Sequence, residues 1–264
     1  MIPIRDNIVP STTPFVNYVI IAICSLAFFA QLRDGIETGG IAEAYGMVPY
    51  RVSHPDEADD VTFEVRREAI VRGPDGRPVT VPVVARKTLS PPGVDPIWTF
   101  LTCMFLHGGW MHFLGNVWFL YIFGDNVEDR LGHIGFAALY LGTGVAAGVA
   151  HYLTDPSSPI PTIGASGAIA GVMGAYAWFY PRARVQAVFP VLILLPLIVL
   201  PAPIFLGMWF LLQMFSGVSS LGGTGGGVAW WAHIGGFVAG IAAAIYVGRH
   251  RADQSRGLSP PNRF

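Results

Sequence analysis

Charge is scarce in this chain of 264 residues: 12% of its side chains are charged and 52% are hydrophobic, whereas an ordinary soluble domain carries about a quarter charged residues. That shortage excludes a conventional soluble domain and points to a lipid bilayer as the solvent. A surplus of either sign is missing too. The net charge is -1, and without a basic run or a stacking motif there is no case for a nucleic-acid partner. Cysteine is nearly absent. Cys24 lies inside an apolar run and Cys103 near another, poorly placed to bridge, and no CxxC pair suggests a metal or redox site. The chain also lacks an HExxH pattern for zinc and a carboxylate pair inside any apolar run, so metalloprotease and aspartyl chemistries within a membrane are disfavoured. No internal repeat is visible, which removes the usual signature of an inverted-repeat transporter.

What the chain does have is long stretches free of charge, each a candidate crossing because a membrane helix needs about 20 apolar residues and an ion at the bilayer centre is costly. Asn7 to Leu32 holds "FVNYVIIAICSLAFFAQL", read as a retained first span because it lacks the short core and cleavage site of a signal peptide. Pro96 to Gly124 and Leu131 to Thr154 supply spans two and three, and Pro156 to Pro181 the fourth. Val185 to Gly248 is free of charge throughout. Its end, "AHIGGFVAGIAAAIYV" after Trp230 and Trp231, is a last span with an aromatic belt, and "IFLGMWFLLQMF" is the span before it. Between Val185 and Pro201 the prolines at 190, 196 and 201 leave no room for an uninterrupted helix, so this tract is expected to be re-entrant or interfacial. Arg182 and Arg184 follow span four, and Arg249, Arg251 and Arg256 follow the last. The tendency of positive flanks to stay inside then places both termini in the cytoplasm, with six crossings.

The expected architecture is therefore an all-α polytopic bundle of six transmembrane helices. Residues 1–14 form an N-terminal cytoplasmic tail, 15–248 the membrane domain and 249–264 a C-terminal cytoplasmic tail. Residues 33–95 are an external insertion between spans one and two, where "VTFEVRREAIV" and "RPVTVPVVARKTL" flank "GPDG" and predict a β-hairpin turning at Pro74-Asp75. It reads as a solvated loop without chemistry, with a docking role as the alternative. The glycine-rich "GGTGGG" at 222–227 is expected to be a mobile outer cap. The expected setting is a bacterial plasma membrane.

Polar residues inside apolar spans carry the chemistry. Span four opens with Gly164-Ala165-Ser166-Gly167. Taken alone, this stretch is better explained as helix packing, since Gly167, Gly171 and Gly174 let a neighbour come close. A serine becomes a nucleophile only with a base at hand. His233, in the final span, is the matching candidate, and Gly236 and Gly240 at +3 and +7 would let its face press against the helix of Ser166. In span two, His112 and Asn116 stand at i and i+4 on one face, with His107 just before them. They are possible donors to a developing oxyanion. Singly, the histidines read equally well as interfacial residues and Asn116 as an interhelical hydrogen-bonding group.

Together these residues resemble the rhomboid intramembrane serine proteases. "GASG" around Ser166 looks like that family's nucleophile motif, "AHIGGFVAG" like the motif carrying its base, and "HFLGN" like its oxyanion element, in the family's order and on the matching spans, over roughly residues 96 to 248. "VEDRLG" at 127–132 is similar to its Glu-x-Arg, which implies structural roles for Glu128 and Arg130. Two positions depart from the pattern: Trp98 is followed by Thr99 instead of arginine, and Ala170 stands where an aromatic often stacks on the histidine. The resemblance implies peptide-bond hydrolysis in or near transmembrane segments, with Ser166 attacking and His233 acting as base and then acid. Asn116, His112 and the Ser166 amide would bind the oxyanion. No acidic third member is evident, so the histidine is expected to be oriented by packing. Substrates would be transmembrane helices able to unwind, met within the lipid bilayer. No cofactor or metal is implied. The rival is a non-catalytic rhomboid-like protein that binds transmembrane clients.

Overall fold

A computed structural model describes residues 1–35, 40–72, 77–188, 197–220 and 229–257. The expected turn at Pro74-Asp75, the "GGTGGG" cap, Pro190 and Pro196 lie outside the described residues. In chain order the elements are β1 (Ile2–Asp6), α1 (Phe15–Asp34), α2 (Gly40–Tyr45), α3 (Pro49–Ser53), β2 (Thr62–Arg72), β3 (Pro78–Thr88), α4 (Thr99–Thr102), α5 (Trp110–Leu131) and α6 (His133–Tyr152), followed by α7 (Ser166–Phe179), β4 (Arg184–Val188), β5 (Leu197–Pro201), α8 (Ala202–Ser220) and α9 (Trp230–Gly257). Among the described residues, α1, α6 and the stretch Trp230–Arg249 of α9 are long and apolar enough to cross a membrane, and the protein is an integral membrane protein. One residue, Gly132, turns α5 into α6 at a φ of 77° that other L-residues rarely adopt.

Helix α7 sits at the centre, packed on α5, α6 and above all α9. The reason is in its glycines. A Cβ at Gly240 would lie 1.9 Å from the Gly171 carbonyl oxygen, and one at Gly236 would lie 2.0 Å from that of Gly167. The two backbones are therefore in direct contact, which only bare glycines permit. Thr143 of α6 fills the opposite side, its hydroxyl bonded to the Leu139 carbonyl, so that a Cβ at Gly171 would strike it too.

The description all-α needs correction. Strands β1, β4 and β5 form an antiparallel sheet in the order β1-β4-β5, with Ile2 opposite Val188 and Arg184 opposite Pro201. Residues 2–6 of the expected tail are thus a strand, and both ends of the Val185–Pro201 tract are strands as well. Proline is tolerated at a strand end, where Pro201 stands, and "RVQAV" alternates burial so that Val185 and Ala187 face the core. Trp118 donates through Nε1 to the Pro3 carbonyl at 2.6 Å. Asp6 accepts from Tyr176 Oη at 2.5 Å and from Asn126 Nδ2 at 3.0 Å. This first strand is pinned to α5 and α7.

The insertion is not uniformly solvated. Val48, Val61 and Leu89 make a small separate core. Arg51 is buried and donates to the carbonyls of Ala58, Glu43 and Ser90. Strands β2 and β3 pair antiparallel from Thr62 opposite Thr88 to Arg72 opposite Pro78, and Ile70 and Val84 are exposed. Met47 and Thr162 exchange backbone hydrogen bonds of 3.0 and 2.8 Å, and the Tyr50 amide donates to the Ser158 carbonyl. Part of the insertion therefore braces the loop that leads into α7.

Candidate functional site

Ser166 is the first residue of α7, and His233 lies one turn inside α9. The glycine contact between these helices brings the hydroxyl and the ring together: Ser166 Oγ and His233 Nε2 are 2.7 Å apart. The other ring nitrogen, Nδ1, is 2.7 Å from Gln213 Oε1 of α8. An amide oxygen can only accept, so the proton sits on Nδ1 and Nε2 carries the lone pair. Nε2 is then the acceptor for the serine proton. Two indoles flank the ring: Trp209 of α8, with centroids 5.8 Å apart, and Trp230, edge-on at 6.1 Å. The aromatic support missing at Ala170 thus comes from two other places in the chain. Packing alone does not orient this histidine, since a neutral amide also holds it.

Across from the serine stands α5. The Gly108 amide donates to His112 Nδ1 at 3.2 Å, which assigns the proton of a neutral His112 ring to Nε2. That N–H points toward Gly164, where a Cβ would be 2.7 Å from His112 Nε2 and 3.6 Å from Ser166 Oγ. Gly164 has a φ of 132°, and its own amide donates to the Cys103 carbonyl. Bare backbone is needed here both for conformation and for space. Asn116, one turn beyond His112, is buried, and its Nδ2 has no hydrogen-bond partner. A buried amide donor without a partner is costly and calls for an explanation. A third donor is the Ser166 amide, since the first N–H groups of a helix have no partner within it. His107 is buried beside His112, with ring centroids 5.4 Å apart.

Glu128 lies at the far end of α5 and touches none of these groups. Its carboxylate accepts from the Val16 and Asn17 amides at 2.8 and 2.7 Å, and from His133 Nδ1 at 2.5 Å. It caps the N-terminus of α1, which has no capping side chain of its own, and so ties α1 to the α5–α6 corner. Arg130 places its guanidinium 5.8 Å from the Phe179 ring centroid, at the end of α7. Gln213 is the functional candidate that reading the sequence missed. The available signal was one carboxamide in an otherwise apolar stretch, "IFLGMWFLLQMF".

Among the described residues no three His, Cys, Asp or Glu side chains gather as metal ligands do. The arrangement instead offers a hydroxyl, a general base with its tautomer fixed, and unpaired donors nearby, which is the equipment of acyl transfer.

A family model described as the Rhomboid domain matches residues 95–250. Rhomboid-like protein 11, chloroplastic, of Arabidopsis thaliana is 42% identical over 78 residues, covering 29% of this chain and 28% of that protein. RHOMBOID-like protein 5 of the same plant is 35% identical over 78 residues, or 30% of this chain and 25% of that protein. Rhomboid protease GluP of Bacillus subtilis (strain 168) is 38% identical over 78 residues, 30% of this chain and 15% of that protein. The chain thus matches less than a third of the length of each of these relatives.

Proposed function

The chain belongs to the Rhomboid family, and on that premise we propose that it is an intramembrane serine endopeptidase acting on peptide bonds in or near the transmembrane segments of other membrane proteins. The observation that carries this reading is the 2.7 Å contact between Ser166 Oγ and His233 Nε2, with the tautomer set by Gln213. In the reaction, Ser166 Oγ attacks the scissile carbonyl carbon while its proton passes to His233 Nε2. The carbonyl π pair moves onto oxygen, where Asn116 Nδ2, His112 Nε2 and the Ser166 amide serve as donors. Collapse breaks the C–N bond, and His233 returns the proton to the departing amine. A water, deprotonated by His233, then attacks the acyl ester, and Ser166 leaves with the proton restored.

The supporting membrane arrangement has six crossings, α1, α5, α6, α7, α8 and α9, with both termini on the cytoplasmic side. The 14 residues of α7 reach roughly 21 Å, short of the ~30 Å hydrocarbon core. With its C-terminal end at the inner boundary, Ser166 lies some way below the outer one, where a helical substrate has to unwind to present its backbone. Ser166 retains partial exposure, as a residue that must meet both substrate and water requires. The test is labelling with a fluorophosphonate probe and cleavage of a membrane-helix reporter in detergent or liposomes. Ser166→Ala and His233→Ala each abolish cleavage, and the double variant is no worse than either single one, because the pair acts as a unit. Substantial cleavage by either single variant would sink the assignment and leave client binding without catalysis as the better description.

A further inference from the structure

Helix α8 is built of apolar residues, glycines and serines apart from Pro203 and one carboxamide, Gln213. Leu211, Leu212, Met214 and Phe215 around it are exposed to the surroundings of the bundle. Turning an amide inward from such a helix is costly unless it finds a partner. The partner here is the imidazole of His233. Trp209, one turn earlier, lies against the same ring, and Gly217, one turn later, stands where a Cβ would come within 3.3 Å of Trp230. One face of α8 is therefore shaped around the start of α9.

We propose that Gln213 is the positioning residue of the dyad, a neutral third member that holds His233 in the productive tautomer and plane from a separate helix. The proposal rests on the protease reading above. Without an acceptor at Nδ1 the ring can carry its proton on Nε2, which then cannot take the serine proton, or it can swing about its χ2 axis. With Gln213 in place, the Nδ1–H is committed and Nε2 faces Ser166 in both the resting and the protonated state. A neutral amide achieves this without burying a second charge beside the imidazolium, which in a low-dielectric site would add a desolvation penalty. The cost is weaker support for that cation than a carboxylate gives.

The experiment compares full-length wild type, Gln213→Met and Gln213→Glu in reporter cleavage, with fluorophosphonate labelling of Ser166 read in parallel. Q213M keeps bulk but loses the acceptor, so kcat is expected to fall about tenfold or more with KM within about twofold, and labelling slows in step. Q213E restores an acceptor and recovers most of that kcat. Its carboxylate favours the imidazolium, so the acid limb of its kcat profile lies at higher pH than that of wild type. A Q213M enzyme with wild-type kcat, or one impaired only in KM, overturns the role. So does a Q213E enzyme no better than Q213M. Should Q213M fail to fold, Q213E decides alone: an acid limb that moves up supports the role, and an unmoved one overturns it. Wild type that neither labels nor cleaves removes the protease reading itself, whereas an active wild type matched by Q213M removes only the role of Gln213.

Discussion

At the scale of the residue, the site is built as much by what Gly164 omits as by what its neighbours supply. Any side chain there would meet His112 Nε2 at 2.7 Å on a backbone of positive φ. Gly164→Ala is expected to fold but to label slowly at Ser166, because His112 or the serine turn must shift. Labelling at the wild-type rate would show that this close approach is dispensable. Asn116→Ala should lower turnover by roughly 10²-fold if it is a principal oxyanion donor, and by less if His112 and the Ser166 amide compensate. Reporter cleavage unchanged in a folded variant would make Asn116 a packing residue. The Ser166–His233 pairing was legible in the sequence because small residues at +3 and +7 from the histidine predict close helix approach. Gln213 was not legible as a partner. Its neighbours in sequence are exposed apolar residues, and nothing along the chain says which way one amide in an apolar helix turns.

At the scale of the element, the glycine seam between α7 and α9 sets the distance between nucleophile and base. Gly236→Val places two methyl groups where the Gly167 carbonyl already stands 2.0 Å from the Cβ position. Overpacking of this kind typically costs about 1–3 kcal/mol, and here the helices must separate to relieve it. The expected outcome is a lower melting temperature in detergent together with loss of labelling, since separation also parts His233 from Ser166. A variant with unchanged melting and labelling would mean that the seam is slack. Glu128→Ala separates stability from chemistry. It strands the Val16 and Asn17 amides, for which about 1–3 kcal/mol of destabilisation is expected, while labelling of the protein that remains folded proceeds normally. Element types were readable in the helices, whose apolar runs are long and marked off by charge. The sheet was hidden because each of its strands spans five residues, and β1, one of the two partners of β4, lies far back along the chain, beyond the reach of any local pattern.

For the whole molecule, strand pairing and charge argue for the same topology. The sheet gathers the N-terminal strand, the exit of α7 and the entry of α8 at one end of the bundle. Arg182 and Arg184, positive flanks that favour the cytoplasm, lie at that end. Strands of five residues are too short to cross, since a spanning strand needs roughly 9–11 residues. A reporter fused after Phe264 should therefore be exposed to the cytoplasm, and a cysteine placed at Gln186 should resist an impermeant thiol reagent added from outside. External reaction at both positions would invert the whole bundle, and reaction at one alone would part the sheet from the end of α9. The same sheet also bears on biosynthesis. Arg5 bonds Gln186 across 181 residues of chain, and at about 5–20 residues per second a ribosome needs on the order of 10–40 s to make the second after the first. During that interval β1 has no β4 to pair with, Trp118 and Tyr176 arrive before the sheet can close around them, and α1 to α7 have already been made. Strand β1 is thus made well before the two strands it joins and fastened only once they exist, and a bulky group fused at Met1 would leave the sheet open.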